Sequence, residues 1–208
     1  MGEQLTVLGE SQGEYSEKHS KFIANLCHIE TEQEAINYIN EIRSKYWDAK
    51  HHVFAYIVEG GRLVRFSDDK EPHGTAGKPV LDIISGAGLS DVIIVVTRYF
   101  GGVLLGTGGL VRAYSKAAKQ ALESANKVRM VPGALLFANC GYSDHKKLCS
   151  VIEEANGTIE KTDFTDSVSV EFCLKESDKE AFLLKLSESF SGNITAKELE
   201  KRIFPEKI

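Results

Sequence analysis

A run of five β-branched residues constrains the fold of this chain more than any other stretch. Val92-Ile93-Ile94-Val95-Val96 contains no polar position, whereas a strand with one face in water alternates apolar and polar residues. Such a run is typical of a strand that is covered on both faces. We therefore predict a strand over residues 91–99, inside a sheet with packing layers on both sides.

Glycines crowd the segment that follows this strand. Five of the nine residues from Gly101 to Gly109 are glycine, and charged and aromatic residues flank them. Glycine loses the most backbone freedom on folding, so it is kept where the chain bends sharply or another group approaches closely. The segment therefore predicts a binding site. A helix is predicted next, over residues 108–124, with an inward face of Ala113, Ala117, Ala118 and Ala121.

Periodicity predicts the remaining elements of the first part of the chain. Thr31 and Glu34 form the pattern of a capping box, which begins a helix that ends near residue 48. Gly60-Gly61 marks a hairpin turn between two strands. The other predicted elements are strands over residues 21–29, 51–58 and 62–66 and a short helix over residues 77–85.

A change in charge near Met130-Val131-Pro132-Gly133, together with turn chemistry there, predicts a domain boundary. Residues 1–130 carry 15 Lys/Arg against 16 Asp/Glu, whereas residues 131–208 carry 10 against 14. We expect an N-terminal domain over 1–130 and a C-terminal domain over 131–208. In the second domain a βαββαβ order indicates a ferredoxin-like fold. Its predicted elements are 134–142, 143–155, 157–164, 167–175, 177–190 and 194–204.

Composition points to an ordinary globular protein, with 42% hydrophobic and 26% charged residues. We find neither a signal-peptide pattern nor an apolar run of membrane-spanning length, so we expect a cytoplasmic protein without a membrane partner. The cysteines contain no C-x-x-C pair and indicate reduced thiols. A net charge of −5 argues against broad electrostatic binding to nucleic acid, and confines any phosphate-binding surface to the nearly balanced first domain.

Two well-known phosphate-binding motifs are excluded. Gly77-Lys78 fails as a P-loop because Pro72 and Pro79 occupy positions where that motif needs Gly and Ser or Thr. The glycines from Gly106 onward fail as a dinucleotide fingerprint because Val111 replaces the third Gly or Ala.

A less specific anion site remains open at the glycine-rich segment. Free backbone N–H groups at a helix start attract anions, and Arg112, Lys116 and Lys119 follow on one helix face. The alternative is a tight strand–helix turn beside a solvated basic face. The candidate binding residues are Lys78, Arg98, Tyr99, Phe100, Gly101, Gly102, Gly106, Thr107, Gly108, Gly109, Arg112 and Lys116.

An acidic turn with nearby histidines is a second candidate. Its carboxylates could hold a divalent cation, but acidic turns before proline are commonly solvated, and that is the preferred interpretation. The possible polar cluster comprises His51, Asp68, Asp69, Glu71 and His73. No Glu/His or Cys/His spacing forms a ligand set, so we assign no metal, no cofactor and no catalytic residue.

These residues resemble the Impact family, specifically its bacterial two-domain, YigZ-like branch. The resemblance covers most of residues 15–115. It rests chiefly on Asp68-Asp69, Glu71-Pro72, Gly74 to Pro79, Thr97 to Gly102 and Leu105 to Tyr114. It implies an α+β protein whose first domain is an α/β sandwich like domain 2 of ribosomal protein S5. It also implies a ferredoxin-like second domain similar to those late in elongation factor G.

The resemblance implies partners among RNA, ribosomes and translation factors, and no firm enzymatic activity. We expect a non-enzymatic protein that binds RNA or the translation machinery and regulates translation. The basic candidates would contact phosphate, and Tyr99 and Phe100 would stack on bases. One alternative is an enzyme on a phosphorylated small molecule or nucleotide, with magnesium at the acidic turn. Another is a pure protein-interaction module. The oligomeric state stays open.

Overall fold

The computed structural model describes residues 4–208 apart from the side chain of Lys207, and it contains two compact units. The first unit extends to Arg129 and includes Lys207 and Ile208, and the second is Met130–Glu206. Five helices and two sheets are distributed over the described residues. The predicted class, a two-domain α+β fold, is confirmed.

The first unit is built around one antiparallel sheet. The five strands of this sheet are β2 (Glu10–Glu17), β3 (Ser20–His28), β4 (His51–Val58), β5 (Leu63–Ser67) and β6 (Val92–Tyr99), and the unit also contains β1 (Gln4–Leu8), which is not part of this sheet. Its helices are α1 (Glu32–Lys45), α2 (Gly77–Gly86) and α3 (Gly106–Glu123). The sheet has the order β2-β3-β6-β4-β5, so β6 is its central strand.

Helices cover both faces of this sheet, as the β-branched run predicts. On one face α1 packs through buried residues such as Ile39 and Ile42 against Ile93 and Val95 of β6. On the other face α2 and α3 pack against Val92, Ile94 and Val96 of β6, and the inward-facing alanines of α3 are fully buried there. All five residues from Val92 to Val96 are inaccessible to solvent, because each face of β6 has its own helical layer.

The predicted capping box begins α1. The hydroxyl of Thr31 accepts a hydrogen bond from the backbone N–H of Glu34 over 3.3 Å, and the carboxylate of Glu34 accepts one from the N–H of Thr31 over 3.4 Å. These reciprocal bonds satisfy two backbone donors that have no partner inside the helix.

The second unit has the predicted βαββαβ order. Its elements are β7 (Asn126–Cys140), α4 (Tyr142–Glu154), β8 (Thr158–Phe164), β9 (Val168–Lys175), α5 (Lys179–Ser189) and β10 (Ala196–Lys207). β7 lies between β10 and β9, and β8 pairs with the other edge of β9. This order is the ferredoxin-like one. Phe172 of β9 and Phe182 of α5 meet in the core at 5.2 Å between ring centroids.

The turn predicted at Met130-Val131-Pro132-Gly133 is wrong, because β7 continues through these residues. Gly133 is needed there for close packing rather than for a turn. A Cβ added to it would lie 2.2 Å from the ring of Phe204 and 2.2 Å from the carbonyl oxygen of Leu174. Pro132 is compatible with the strand, and its carbonyl accepts a hydrogen bond from the N–H of Glu176 over 3.1 Å.

Candidate functional site

Arg98 lies inside the first unit at the end of the central strand β6. Its Nη1 donates a hydrogen bond to Oε1 of Glu71 over 2.6 Å, and the two side chains are 6% and 4% exposed. The hydroxyl of Tyr114, on α3, donates to the same oxygen over 2.7 Å. Contrary to the prediction, Arg98 is not available to a phosphate, because a buried carboxylate already neutralises its charge.

Aromatic rings enclose this pair. The guanidinium carbon of Arg98 lies 5.4 Å from the ring centroid of Phe22 and 5.5 Å from that of Phe100. Burial and then the charge of Glu71 raise the pKa of Tyr114 well above its ordinary value, so its hydroxyl stays a donor. The arrangement joins α3, β6 and the acidic turn through one carboxylate.

The three carboxylates of the acidic turn are largely buried, with side-chain exposures of 13% for Asp68, 19% for Asp69 and 4% for Glu71, which corrects the preferred interpretation of a solvated turn. Asp68 accepts backbone hydrogen bonds from Gly74 over 2.8 Å, Ala76 over 3.1 Å and Gly77 over 2.8 Å. Ala76, the N-cap residue of α2, has no side-chain acceptor. Asp68, eight residues earlier in the chain, therefore accepts the hydrogen bonds that an N-cap side chain usually accepts. His73 is fully exposed, with Nδ1 3.8 Å from Asp68.

Asp69 fastens the same turn to β4. Its Oδ2 accepts a hydrogen bond from the N–H of His52 over 2.6 Å, and its carbonyl lies 2.9 Å from Nδ1 of His51. Four members of the predicted polar cluster thus lie on this turn and His51 lies beside it on β4, and apart from the exposed His73 their polar atoms bond to other parts of the unit. Among the described residues, no group of three or more His, Cys, Asp or Glu side chains could hold a metal ion.

The glycines of the predicted binding segment divide into structural and open positions. Gly101 packs tightly on the β2–β3 turn, because a Cβ there would lie 2.0 Å from the carbonyl carbon of His19. Gly102 and Gly106 have positive φ angles of 84° and 71°, which side chains disfavour. Gly108, in contrast, has no heavy atom within 4 Å of an added Cβ.

The start of α3 is open to solvent. Gly106, Thr107 and Gly108 are exposed, Gly109 is buried, and Leu105 at the N-cap offers no side-chain hydrogen bond to the helix. Arg112 is exposed one turn later and forms no hydrogen bond or ion pair with any described residue. Backbone N–H groups and one unpaired guanidinium therefore share this surface.

The other predicted cations already have partners. Lys78 pairs with Asp82 on α2, and Lys116 donates to the hydroxyl of Tyr15 over 3.1 Å with its ammonium 4.7 Å from that ring. Tyr99 donates to Asp48 over 2.7 Å, and this bond raises the pKa of Tyr99 to about 12. The predicted basic stripe is thus reduced to Arg112 as its one unpaired member among the described residues.

Apolar side chains are exposed in the same segment. Phe100 is 50% and Leu104 82% exposed, and Val103 and Val111 are also accessible. Sequence reasoning assigned Phe100 a role but overlooked the other three. For Val103 and Leu104 the signal in the sequence is the presence of apolar residues among glycines, where no helix or strand pattern explains them.

Sequence reasoning also missed the partners of Arg98. Phe22 lies beside it in the β3–β6 register, and Tyr114, on α3, donates to the same Glu71 oxygen that Arg98 contacts. Neither neighbour follows from a local pattern, because 76 and 16 residues respectively separate Phe22 and Tyr114 from Arg98 in the chain.

No described helix is both long and apolar enough to span a membrane.

Comparison with known proteins supplies the family. The family model of the Impact N-terminal domain matches residues 18–122, and that of a domain of unknown function (DUF1949) matches residues 139–193. The chain is 33% identical over 197 residues to IMPACT family member YvyE of Bacillus subtilis (strain 168), which covers 94% of this chain and 91% of that relative. The chain belongs to the Impact family.

Other Impact proteins match over nearly the same length. IMPACT family member YigZ of Escherichia coli (strain K12) is 33% identical over 187 residues, covering 88% of this chain and 92% of the relative. A solved structure described as "Crystal structure of an hypothetical protein" is 31% identical with a TM-score of 0.62, covering 96% of this chain and 98% of that one. The resemblance to the two-domain bacterial Impact proteins is therefore confirmed.

Proposed function

We propose that this Impact protein is a non-catalytic, cytoplasmic binding protein of the translation machinery that contacts RNA phosphate at the start of α3. One observation carries the proposal: three exposed residues without a side-chain cap begin α3, and the unpaired Arg112 follows one turn later. The N-terminus of a helix carries partial positive charge and N–H donors, which favour phosphate. The open space above Gly108 lets a phosphate approach the backbone.

Phe100 adds a stacking surface to the same segment. Its ring covers Arg98 on the inside and is half exposed, so a base can stack on its outer side. The likeness of the family's domains to ribosomal protein S5 and elongation factor G supports RNA as the partner. Regulation of translation is the role we propose for such binding.

The test is binding of total RNA and of ribosomes to purified full-length protein across a salt series. Arg112→Ala should lower the salt slope by about one unit if Arg112 neutralises one phosphate. Arg62→Ala is the matched control, because Arg62 is an exposed arginine in the β4–β5 hairpin. This hairpin lies near Val92, at the opposite end of β6 from the glycine-rich segment. A salt slope that Arg112→Ala leaves at the wild-type value would refute the phosphate contact.

Gly108→Ala separates binding from folding. An alanine at this helical position meets no neighbour, so stability should be unchanged or rise by up to about 1 kcal/mol. The new methyl group occupies the space through which a phosphate approaches, so RNA binding should weaken. Urea unfolding and the same binding assay measure the two effects. Full binding by this variant would contradict the close approach.

A protein-interaction role is the second candidate, and the exposure of Leu104 favours it. Leu104 is 82% exposed and follows the exposed Phe100 and Val103 in the chain, and neighbouring exposed apolar side chains mark interaction surfaces. Leu104→Ser should then weaken ribosome binding equally at low and high salt. A loss confined to low salt would instead support the phosphate contact.

A further inference from the structure

A small polar cleft lies on the sheet face covered by α1, away from the glycine-rich segment. It has a volume of about 170 Å³ and is lined by Glu10, Ser11, Gln12, Asn25 and Lys45. The register pairs Gln12 of β2 with Asn25 of β3, and Lys45 is the last residue of α1. The cleft is thus bounded by the edge strand, its neighbour and one helix end.

The side-chain amide nitrogen of Asn25, in the wall of this cleft, lacks a hydrogen-bond partner. The residue is 5% exposed, and its Oδ1 accepts only a long bond of 3.4 Å from Nε2 of Gln12. Its Nδ2 is buried without any partner. An unsatisfied buried donor costs about 1–3 kcal/mol, so native proteins seldom keep one without a reason.

A second unsatisfied polar group lies in the same layer. The hydroxyl of Tyr38, on α1, is buried without a hydrogen-bond partner. Tyr38 belongs to the apolar cluster under α1 and is not part of the lining of the cleft. The layer between α1 and the sheet thus holds two buried polar groups without partners, and Asn25 is the one in the cleft wall.

The cleft also presents two opposite charges that do not pair with each other. The carboxylate of Glu10 forms no hydrogen bond or ion pair with any described residue. The ammonium of Lys45 contacts only the ring of Tyr46, at 5.5 Å from its centroid. Along the same strand Glu14 does form an ion pair, at 2.9 Å from Lys21. Glu10 and Lys45 are therefore free to bind the two charges of one ligand.

We propose that this cleft binds a small zwitterion, namely a free α-amino acid. Glu10 would accept hydrogen bonds from the ligand ammonium, and Lys45 would pair with its carboxylate. With the Asn25 amide rotated by half a turn, its NH₂ would take the position of Oδ1 beside Gln12 and donate to the ligand carboxylate, while Oδ1 would take the buried position. A water molecule has a share of about 30 Å³ in the liquid, so the cleft holds a ligand several times larger.

This site is independent of the function proposed for α3. Gln12 and Asn25 face α1, whereas Ser11 donates to the carbonyl of Ala121 on α3 over 2.8 Å. Loss of RNA binding would therefore leave the zwitterion site untouched. The reverse also holds.

The test uses ¹⁵N-labelled full-length protein titrated with L-alanine. The side-chain amide signals of Asn25 and Gln12 should shift in a saturable manner. Acetate and methylammonium, which each carry one of the two charges, should not saturate these signals over the same concentrations. Glu10→Gln and Lys45→Gln should each weaken L-alanine binding by about tenfold, the effect of losing one charged hydrogen bond.

Lys50→Gln and Glu59→Gln are the controls, because both residues are exposed and lie outside the cleft. They should bind L-alanine like the wild type. Glu10 and Lys45 are themselves exposed, so their variants should keep a dispersed spectrum that shows a folded protein. The proposal is overturned if L-alanine causes no saturable shift, if acetate alone saturates the same signals, or if both cleft variants bind with wild-type affinity.

Discussion

Arg98 shows how burial reverses the role of a charged residue. On a strand end before a glycine-rich segment, an arginine suggests an exposed phosphate contact. In the fold its register neighbours are Phe22 and His51, and the rings of Phe22 and Phe100 flank its guanidinium. A buried guanidinium requires a partner with the opposite charge, and Glu71 is that partner. The acidic turn is thus tied to the sheet by charge.

Removing Glu71 should be strongly destabilising. Glu71→Ala leaves the Arg98 charge buried without compensation, which costs about 3–5 kcal/mol of unfolding free energy. Urea unfolding followed by circular dichroism measures the loss. Glu123→Ala is the control, because its pair with Lys119 is exposed and contributes at most about 1 kcal/mol. Equal losses for the two variants would show that burial of the Arg98–Glu71 pair has no special weight.

His52 should make the protein sensitive to acid. Its side chain is buried, with Nε2 3.1 Å from the carbonyl of Tyr46, so the neutral ring donates through Nε2–H. Burial lowers the pKa of His52 below its ordinary value of 6.5. The unfolded chain therefore takes up a proton near pH 6.5 while the folded chain does not. The stabilisation present above that pH is lost as pH falls toward the folded pKa.

The variant His52→Asn should remove this component, since asparagine does not titrate and still offers an N–H donor. We expect the unfolding free energy of the wild type to fall more steeply than that of the variant between about pH 7.5 and pH 5.5. Urea unfolding at both pH values tests this. Parallel pH dependence in the two proteins would mean that His52 does not carry the effect.

At the scale of the elements, edge strand β2 depends on a close approach to α3. Gly13 faces α3, and a Cβ added to it would lie 2.2 Å from the backbone nitrogen of Ala121 and 2.7 Å from the carbonyl oxygen of Ala117. Small residues on both elements therefore let backbone pack on backbone. This contact explains the alanine-rich inward face of α3 better than packing on the central strand alone.

Gly13→Ala should loosen this contact. The added methyl group meets backbone atoms that cannot move independently, so we expect a loss of about 1–3 kcal/mol or more. Gly86→Ala is the matched control, because its Cβ would meet no heavy atom within 4 Å. Thermal and urea unfolding compare the two variants. If both are equally stable, the β2–α3 distance in solution is larger than the structure shows.

At the scale of the whole molecule, each unit has its own core and its own charge. The first unit packs apolar clusters on both faces of its sheet, and the second has a separate cluster with Phe172 and Leu136. The acidic excess belongs to residues 131–208. The surface proposed for phosphate lies in the nearly balanced part of the chain, as electrostatics requires.

Much of the fold was predictable because its signals are local. The unbroken run Val92 to Val96, the Thr31–Glu34 capping box and the βαββαβ order all depend on neighbouring residues. Strand β2 escaped prediction because its sequence, Glu10–Glu17, has Tyr15 as its only large apolar side chain. The early start of β7 escaped because Pro132 and Gly133 normally end a strand.

The amino-acid sequence by itself determined the family, the elements and the location of the glycine-rich segment, since these depend on composition and spacing along the chain. Only the tertiary structure decided which charged groups are free. Arg98 and Glu71 are 27 residues apart in the chain. The position of Arg98 at the end of β6 and the path of the acidic turn bring these two buried charges together. Pairing removes Arg98 from the surface and leaves Arg112, Glu10 and Lys45 available, because burial and partners are properties of the folded chain.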